Sequence, residues 1–248
     1  MRSTFGLLFS LMLSLSPPAA AQDAPSIEDL LNATDDIARG TSSVATLTME
    51  VKTERYSRTM KMQAWSQGTE HSLVRILEPA KEAGISTLMV EDNIWNYLPK
   101  VDRTMKIPAT MMSGNWMGSH ITNDDLVRAN RLAEEFEANL TAEPTNGEGS
   151  YVVELVPLPD APVVWGKLVL TIRPDLIPTE IGYFDEDGSL VRTMRYEDIQ
   201  QVGDRMMPMT MRVLPADEPE SYTVITYNEI EFDTEIPEST FTLQSLRR

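Results

Sequence analysis

Apolar and polar residues alternate through most of the chain. Ala45, Leu47, Met49 and Val51 interleave with Thr46, Thr48, Glu50 and Lys52, and Phe136, Ala138 and Leu140 interleave with Glu137, Asn139 and Thr141. A period of two sends successive side chains to opposite faces, so each such segment is a strand with one buried and one wet face. The same reasoning predicts strands at 57–66, 70–78, 85–91, 94–99, 102–107, 150–157, 166–173, 178–185, 189–200, 205–214 and 221–232. Their short spacings, with turn signals such as Asp187-Gly188 and Gly203, are those of β-meanders. About a dozen strands with few helices imply a mainly β fold, a large curved antiparallel sheet or an open, incomplete β-barrel.

Two stretches break the alternation. Ser26 to Arg39 reads as one amphipathic N-terminal helix: Ser26 and Asp29 suit a capping box, Ile27, Leu30, Leu31 and Ile37 share a side, and Gly40 suits the C′ position. Between Ala109 and Asn130, Met111, Met112, Trp116 and Met117 mix with Ser113, Gly114, Asn115, Gly118 and Ser119 before a second capping signature, Thr122 to Asp125. That mixture is too rich in glycine for a rigid helix and too apolar for an idle loop. It suits a short helical and loop lid over a cavity, with Met111, Met112, Trp116 and Met117 as the flap; a loop that only packs the core is the other reading.

The first residues carry a different pattern. Arg2, an apolar run from Phe5 to Leu15, Pro17-Pro18 and Ala19-Ala20-Ala21 have the order of an export signal with cleavage after Ala21. The apolar run is much shorter than the ~20 residues that a membrane-spanning helix needs, and no later segment approaches that length. The expected organisation is therefore a signal peptide at 1–21 and a single domain at 22–248, released without stable membrane insertion. There is no cysteine, which removes disulfides, thiol catalysis and acylation of an N-terminal cysteine. The formal net charge is −17, and loss of Arg2 with the leader leaves the mature chain more negative by a single charge. Such a surface repels nucleic acid and anionic bilayers.

Familiar catalytic frameworks are missing: no Gly-x-Ser-x-Gly elbow, P-loop, Gly-x-Gly-x-x-Gly or His-Glu-x-x-His occurs. His71 and His120 have no further ligand at metal-like spacing, so neither a metal nor a cofactor is expected, and the chain does not read as an enzyme. Asp124 and Asp125 could form an acid/base pair, but two acids opening a helix are explained by its dipole. The 15 methionines are more suggestive. Their side chains are unbranched and polarizable, and they line surfaces that receive flexible apolar partners as readily as they fill cores.

Several motifs together resemble one family. Trp95-Asn96-Tyr97-Leu98-Pro99-Lys100-Val101-Asp102-Arg103, Lys106-Ile107-Pro108, Trp116-Met117-Gly118-Ser119 and Thr122-Asn123-Asp124-Asp125-Leu126, with Leu73 to Gly84 before them, resemble the treponemal-type outer-membrane lipoprotein-sorting proteins. Those are similar in fold to the periplasmic lipoprotein carriers LolA and LolB. Two departures stand out: His120 replaces an acidic residue, and Ser66 to Ser72 lacks the early interstrand arginine of LolA. The resemblance implies an incomplete β-barrel whose helices lid a hydrophobic cavity for acyl chains. Leu47, Met49, Val51, Met60, Met62, Leu88, Val90, Trp95 and Tyr97 are the candidate cavity residues. The function implied is that of a periplasmic carrier, a chaperone in lipoprotein transport, that takes lipoprotein acyl chains or another lipid toward the outer membrane. Its acidic exterior calls for protein partners at the inner and outer membranes. An accessory subunit of an inner-membrane (RND-type) exporter is the alternative, and a carboxylate-dependent hydrolase a more distant one.

Overall fold

The computed structural model describes residues 24–37, 40–128, 131–145 and 147–247; the expected signal peptide lies outside them. The N-terminal helix α1 spans Ile27–Asp36, with Ser26 and Asp29 forming the expected capping box. Thirteen strands follow: β1 (Ser42–Lys52), β2 (Ser57–Gln67), β3 (His71–Glu78), β4 (Ser86–Val90), β5 (Asn93–Leu98), β6 (Arg103–Lys106), β7 (Phe136–Ala142), β8 (Tyr151–Pro157), β9 (Lys167–Ile172), β10 (Pro178–Phe184), β11 (Leu190–Val202), β12 (Arg205–Pro215) and β13 (Tyr222–Phe232). Helices α2 (Asn123–Arg128) and α3 (Leu132–Glu135) lie between β6 and β7. Among the described residues, no helix is long and apolar enough to cross a membrane.

All the strands join one antiparallel sheet in the order β6-β5-β4-β3-β2-β1-β13-β12-β11-β10-β9-β8-β7. It consists of two meanders, β1–β6 and β7–β13, welded by the pairing of the first strand with the last. That seam runs from Ser43↔Phe232 to Lys52↔Tyr222. The sheet is open, because β6 and β7 stand at its two ends and do not pair with each other.

Alternation sorts the side chains between the two faces. The inner face carries the main core, in which Met60 of β2 and Val153 of β8 belong to one apolar cluster although many strands separate them in the sheet. The sheet must therefore curl around that cluster, as its twist favours. The opposite face is covered over β3–β5 by the segment after β13, where Ile236, Phe241 and Leu246 bury Leu73, Leu88 and Tyr97. Farther along, cross-strand ion pairs occupy that face: Lys167 with Glu154, Arg195 with Glu180, and Arg212 with Glu197.

The C-terminal segment should hold the first meander in place. Phe241→Ala is expected to cost about 3–5 kcal/mol, the usual loss for a buried phenylalanine, whereas Leu243→Ala, at a side chain 49% exposed, should change stability by no more than about 0.5 kcal/mol. Urea denaturation of the two variants measures the difference.

Candidate functional site

The inner face is not completely filled by the chain's own side chains. A cavity of about 260 Å³ lies between the sheet, α1 and the segment joining β6 to β7. From β1 and β2 it is bounded by Ser43, Ala45, Leu47, Ala64 and Ser66; from β9–β13 by Leu168, Ile181, Tyr183, Met194, Tyr196, Met211, Ile225 and Tyr227. Helix α1 adds Thr34 and Asp35, the residue after it, Ile37, also lines the cavity, and the connecting segment adds Trp116, Ile121, Asp124, Asp125, Leu126 and Leu132.

The residues singled out in the sequence divide into three groups. Leu47 and Trp116 line the cavity. Met49, Val51, Met60 and Met62 share its core cluster, wholly buried, and fill the adjoining end of the inner face. Leu88, Val90, Trp95 and Tyr97 lie on the other face, with the C-terminal segment. Within the flap, Met117 packs on the main cluster and Met112 on Met89, Ile94 and Val127, while Met111 is exposed.

The flap is fastened to both meanders. The buried indole of Trp116 donates from Nε1 to Thr87 Oγ1 at 3.0 Å. Arg58 Nη2 donates to the Met117 carbonyl at 2.6 Å, and the Tyr56 hydroxyl donates to that of Gly118. On the far side, His120 N donates to Thr223 Oγ1 at 3.0 Å, and its Nδ1 lies 2.8 Å from the same hydroxyl. Burial foremost pushes the His120 imidazole below its ordinary pKa, so it is held as the neutral ring.

Arg192 of β11 is the strongest of these fastenings. It is only 4% exposed, and its Nη2 donates to Asp125 Oδ1 at 2.5 Å while Nη1 donates to the His120 carbonyl at 2.8 Å. The guanidinium stacks on Tyr183 and Trp165, 4.2 and 4.6 Å from the ring centres, where a desolvated cation gains from the ring quadrupole. Burial disfavours the charged form, but Asp125 and Tyr183 together outweigh it and the pKa is raised. Asp125 uses its other oxygen, Oδ2, to accept from Thr122 N at 2.6 Å, completing the capping box of α2. Both of its oxygens are thus engaged in holding structure, which argues against the acid/base role.

Sequence reasoning missed Arg192 and the β9–β13 wall. The signal was present: Arg192, Met194 and Tyr196 sit two apart on one strand, so an inward-facing Met and Tyr imply an inward-facing Arg that needs a buried acid. Asp125→Ala should cost about 3–5 kcal/mol, because it leaves that charge buried without its partner. Adding Arg192→Met should recover a substantial part of the loss, and a double-mutant cycle by urea denaturation checks both figures.

No curated protein matches the sequence. Among solved structures, the chain is similar to a domain from Vibrio parahaemolyticus named as an outer membrane lipoprotein-sorting protein, with 23% identity, 88% of this chain and 97% of that one covered, and a TM-score of 0.75. It is also similar to a LolA superfamily protein from Nitrosomonas europaea, at 23% identity, 90% and 100% coverage and a TM-score of 0.74. A DUF1329 family protein from Desulfovibrio piger has 21% identity, 88% and 96% coverage and a TM-score of 0.79. At these identities the likeness establishes the fold. A family model with the description "-like: Uncharacterized protein" matches residues 68–248. That match spans most of the sequence, so the chain belongs to this family, and its fold is the one shared by lipoprotein-sorting and LolA superfamily proteins.

Proposed function

We propose that the protein is a periplasmic carrier that shelters an acyl chain of a lipoprotein or another lipid in its inner cavity and passes it toward the outer membrane. On this reading the leader is removed after Ala21 and residues 22–248 form the single carrier domain. The observation that carries the proposal is the unfilled apolar hollow beneath a fastened lid. The names of the similar proteins, which speak of lipoprotein sorting and of LolA, support it. An accessory exporter subunit has no need of an interior void.

The size of the hollow sets the energetics. An apolar cavity of about 150 Å³ accommodates benzene, so one of about 260 Å³ holds roughly ten carbons on the same scale. At ~0.8 kcal/mol per buried methylene, ten carbons give about 8 kcal/mol, the micromolar range before ordering costs are subtracted. A full acyl chain protrudes or shifts the lid, and either arrangement keeps the cargo releasable.

Mature protein purified from its native periplasm should yield lipid on organic extraction and should take up an uncharged fluorescent probe such as N-phenylnaphthylamine. Ala45→Phe, which puts a ring into the hollow, should weaken probe uptake by about tenfold. Absence of both lipid and probe uptake in the folded wild type would overturn the proposal.

A further inference from the structure

Alternation keeps the inner face of β1, β2 and β3 apolar until the strands reach the end of the hollow beside the β2–β3 turn. There the inner positions change together. Ser43 precedes Ala45 and Leu47 on β1, Ser66 follows Met62 and Ala64 on β2, and Ser72 precedes Val74 and Ile76 on β3. The three serines are neighbours across the strands, Ser43 opposite Ser66 and Ser66 opposite Ser72, and all of them line the cavity. Ala45 and Ala64, paired in the next inner row, are small enough to leave room in front of them. Ser43 is 5% exposed; Ser66 and Ser72 are half-buried, close to the exposed Gln67 and Glu70 at the turn. Among the described residues, the row makes one side-chain hydrogen bond, between the Ser43 and Ser66 hydroxyls at 2.8 Å. Such a bond uses a single proton, so the other hydroxyl protons of the row, that of Ser72 included, remain for a ligand.

An acyl chain is joined to its head through an ester or amide carbonyl, and that oxygen leaves water behind when the chain enters the hollow. The loss opposes entry unless a donor in the wall replaces it. Serine hydroxyls are suited to the exchange: they donate to a carbonyl oxygen, accept from an amide N–H, and turn about their own bonds to find either partner. A bare hydrocarbon makes no use of them. We propose that the Ser43–Ser66–Ser72 row is the head-group subsite of the cavity and takes the ester or amide carbonyl of an acyl chain, with the hydrocarbon in the apolar remainder of the hollow. This rests on the carrier reading and deepens it: it names the end of the cargo that the sheet recognises and places that end beside the β2–β3 turn.

The test sets an ester against a probe that has no carbonyl. Methyl decanoate, isotope-labelled at its carbonyl carbon, competes with N-phenylnaphthylamine for the mature protein and for its Ser43→Ala/Ser66→Ala/Ser72→Ala variant. Removing all three hydroxyls takes away both partners of the Ser43–Ser66 bond together and strands neither. The variant should need about tenfold more ester to displace the probe, the worth of about one or two hydrogen bonds, while its affinity for the probe itself stays within about twofold. The infrared carbonyl band of the bound ester should lie at lower wavenumber in wild type than in the variant, a shift that follows hydrogen bonding and not the shape of the hollow. Equal losses for ester and probe, an ester affinity that the variant leaves unchanged, or the same band position in both proteins overturns the inference and leaves the carrier reading standing. Failure of wild type to bind either ligand overturns the carrier reading as well. Should the variant not fold, the band in wild type decides alone: a position below that of methyl decanoate in hydrocarbon solvent supports the inference, and the hydrocarbon position overturns it.

Discussion

The two edges of the sheet lie at opposite ends of its strand order, and the chain must cross from one to the other between β6 and β7. This single constraint generates the site. The crossing segment cannot pass through the sheet and passes instead over the inner face, bringing Trp116, Ile121, Leu126 and Leu132 with it. Closing the sheet into a barrel would have abolished the edges; leaving it open allows a polypeptide lid to occupy the gap. The hollow is what remains between a curled sheet and a crossing segment that cannot reach all of it.

This division explains what could be read in advance. Each strand was legible because alternation is local: burial of Ala45, Leu47, Met49 and Val51 follows from their spacing whatever they face. The capping boxes at Ser26 and Thr122 were legible for the same reason. The cavity was not, because its walls come from β1–β3 and β9–β13, joined by the non-local β1–β13 seam. Leu88, Val90, Trp95 and Tyr97 alternate as cleanly as the inner residues, yet a period of two cannot say which face is inner. The C-terminal segment covers theirs. Methionine content had the same ambiguity: Met49, Met60 and Met62 fill the core, while Met194 and Met211 border the void.

On the proposed carrier reading, holding and releasing are in tension, and the lid is where the two meet. In the described closed form it is bonded to β2, β4, β11 and β13 through Arg58, Thr87, Arg192 and Thr223. On that reading, any cargo larger than the hollow must compete with some of those bonds. Binding is then an exchange of one set of interactions for another, and the closed, unloaded state acts as an internal competitor that keeps net affinity well below the gross burial.

The Arg192–Asp125 pair shows why such a lid is not simply greasy. A buried ion pair is a poor source of stability compared with apolar side chains of the same volume, since desolvation consumes much of the attraction. What it supplies is position. Apolar contacts tolerate sliding, whereas a guanidinium stacked between Tyr183 and Trp165 and bonded to both the Asp125 carboxylate and the His120 carbonyl accepts one placement of the lid. Because Asp125 also caps α2, that placement fixes the start of the helix. The neighbouring Asp124 is thereby set on the cavity wall. The charge that registers the lid thus also determines which face of the lid borders the cavity.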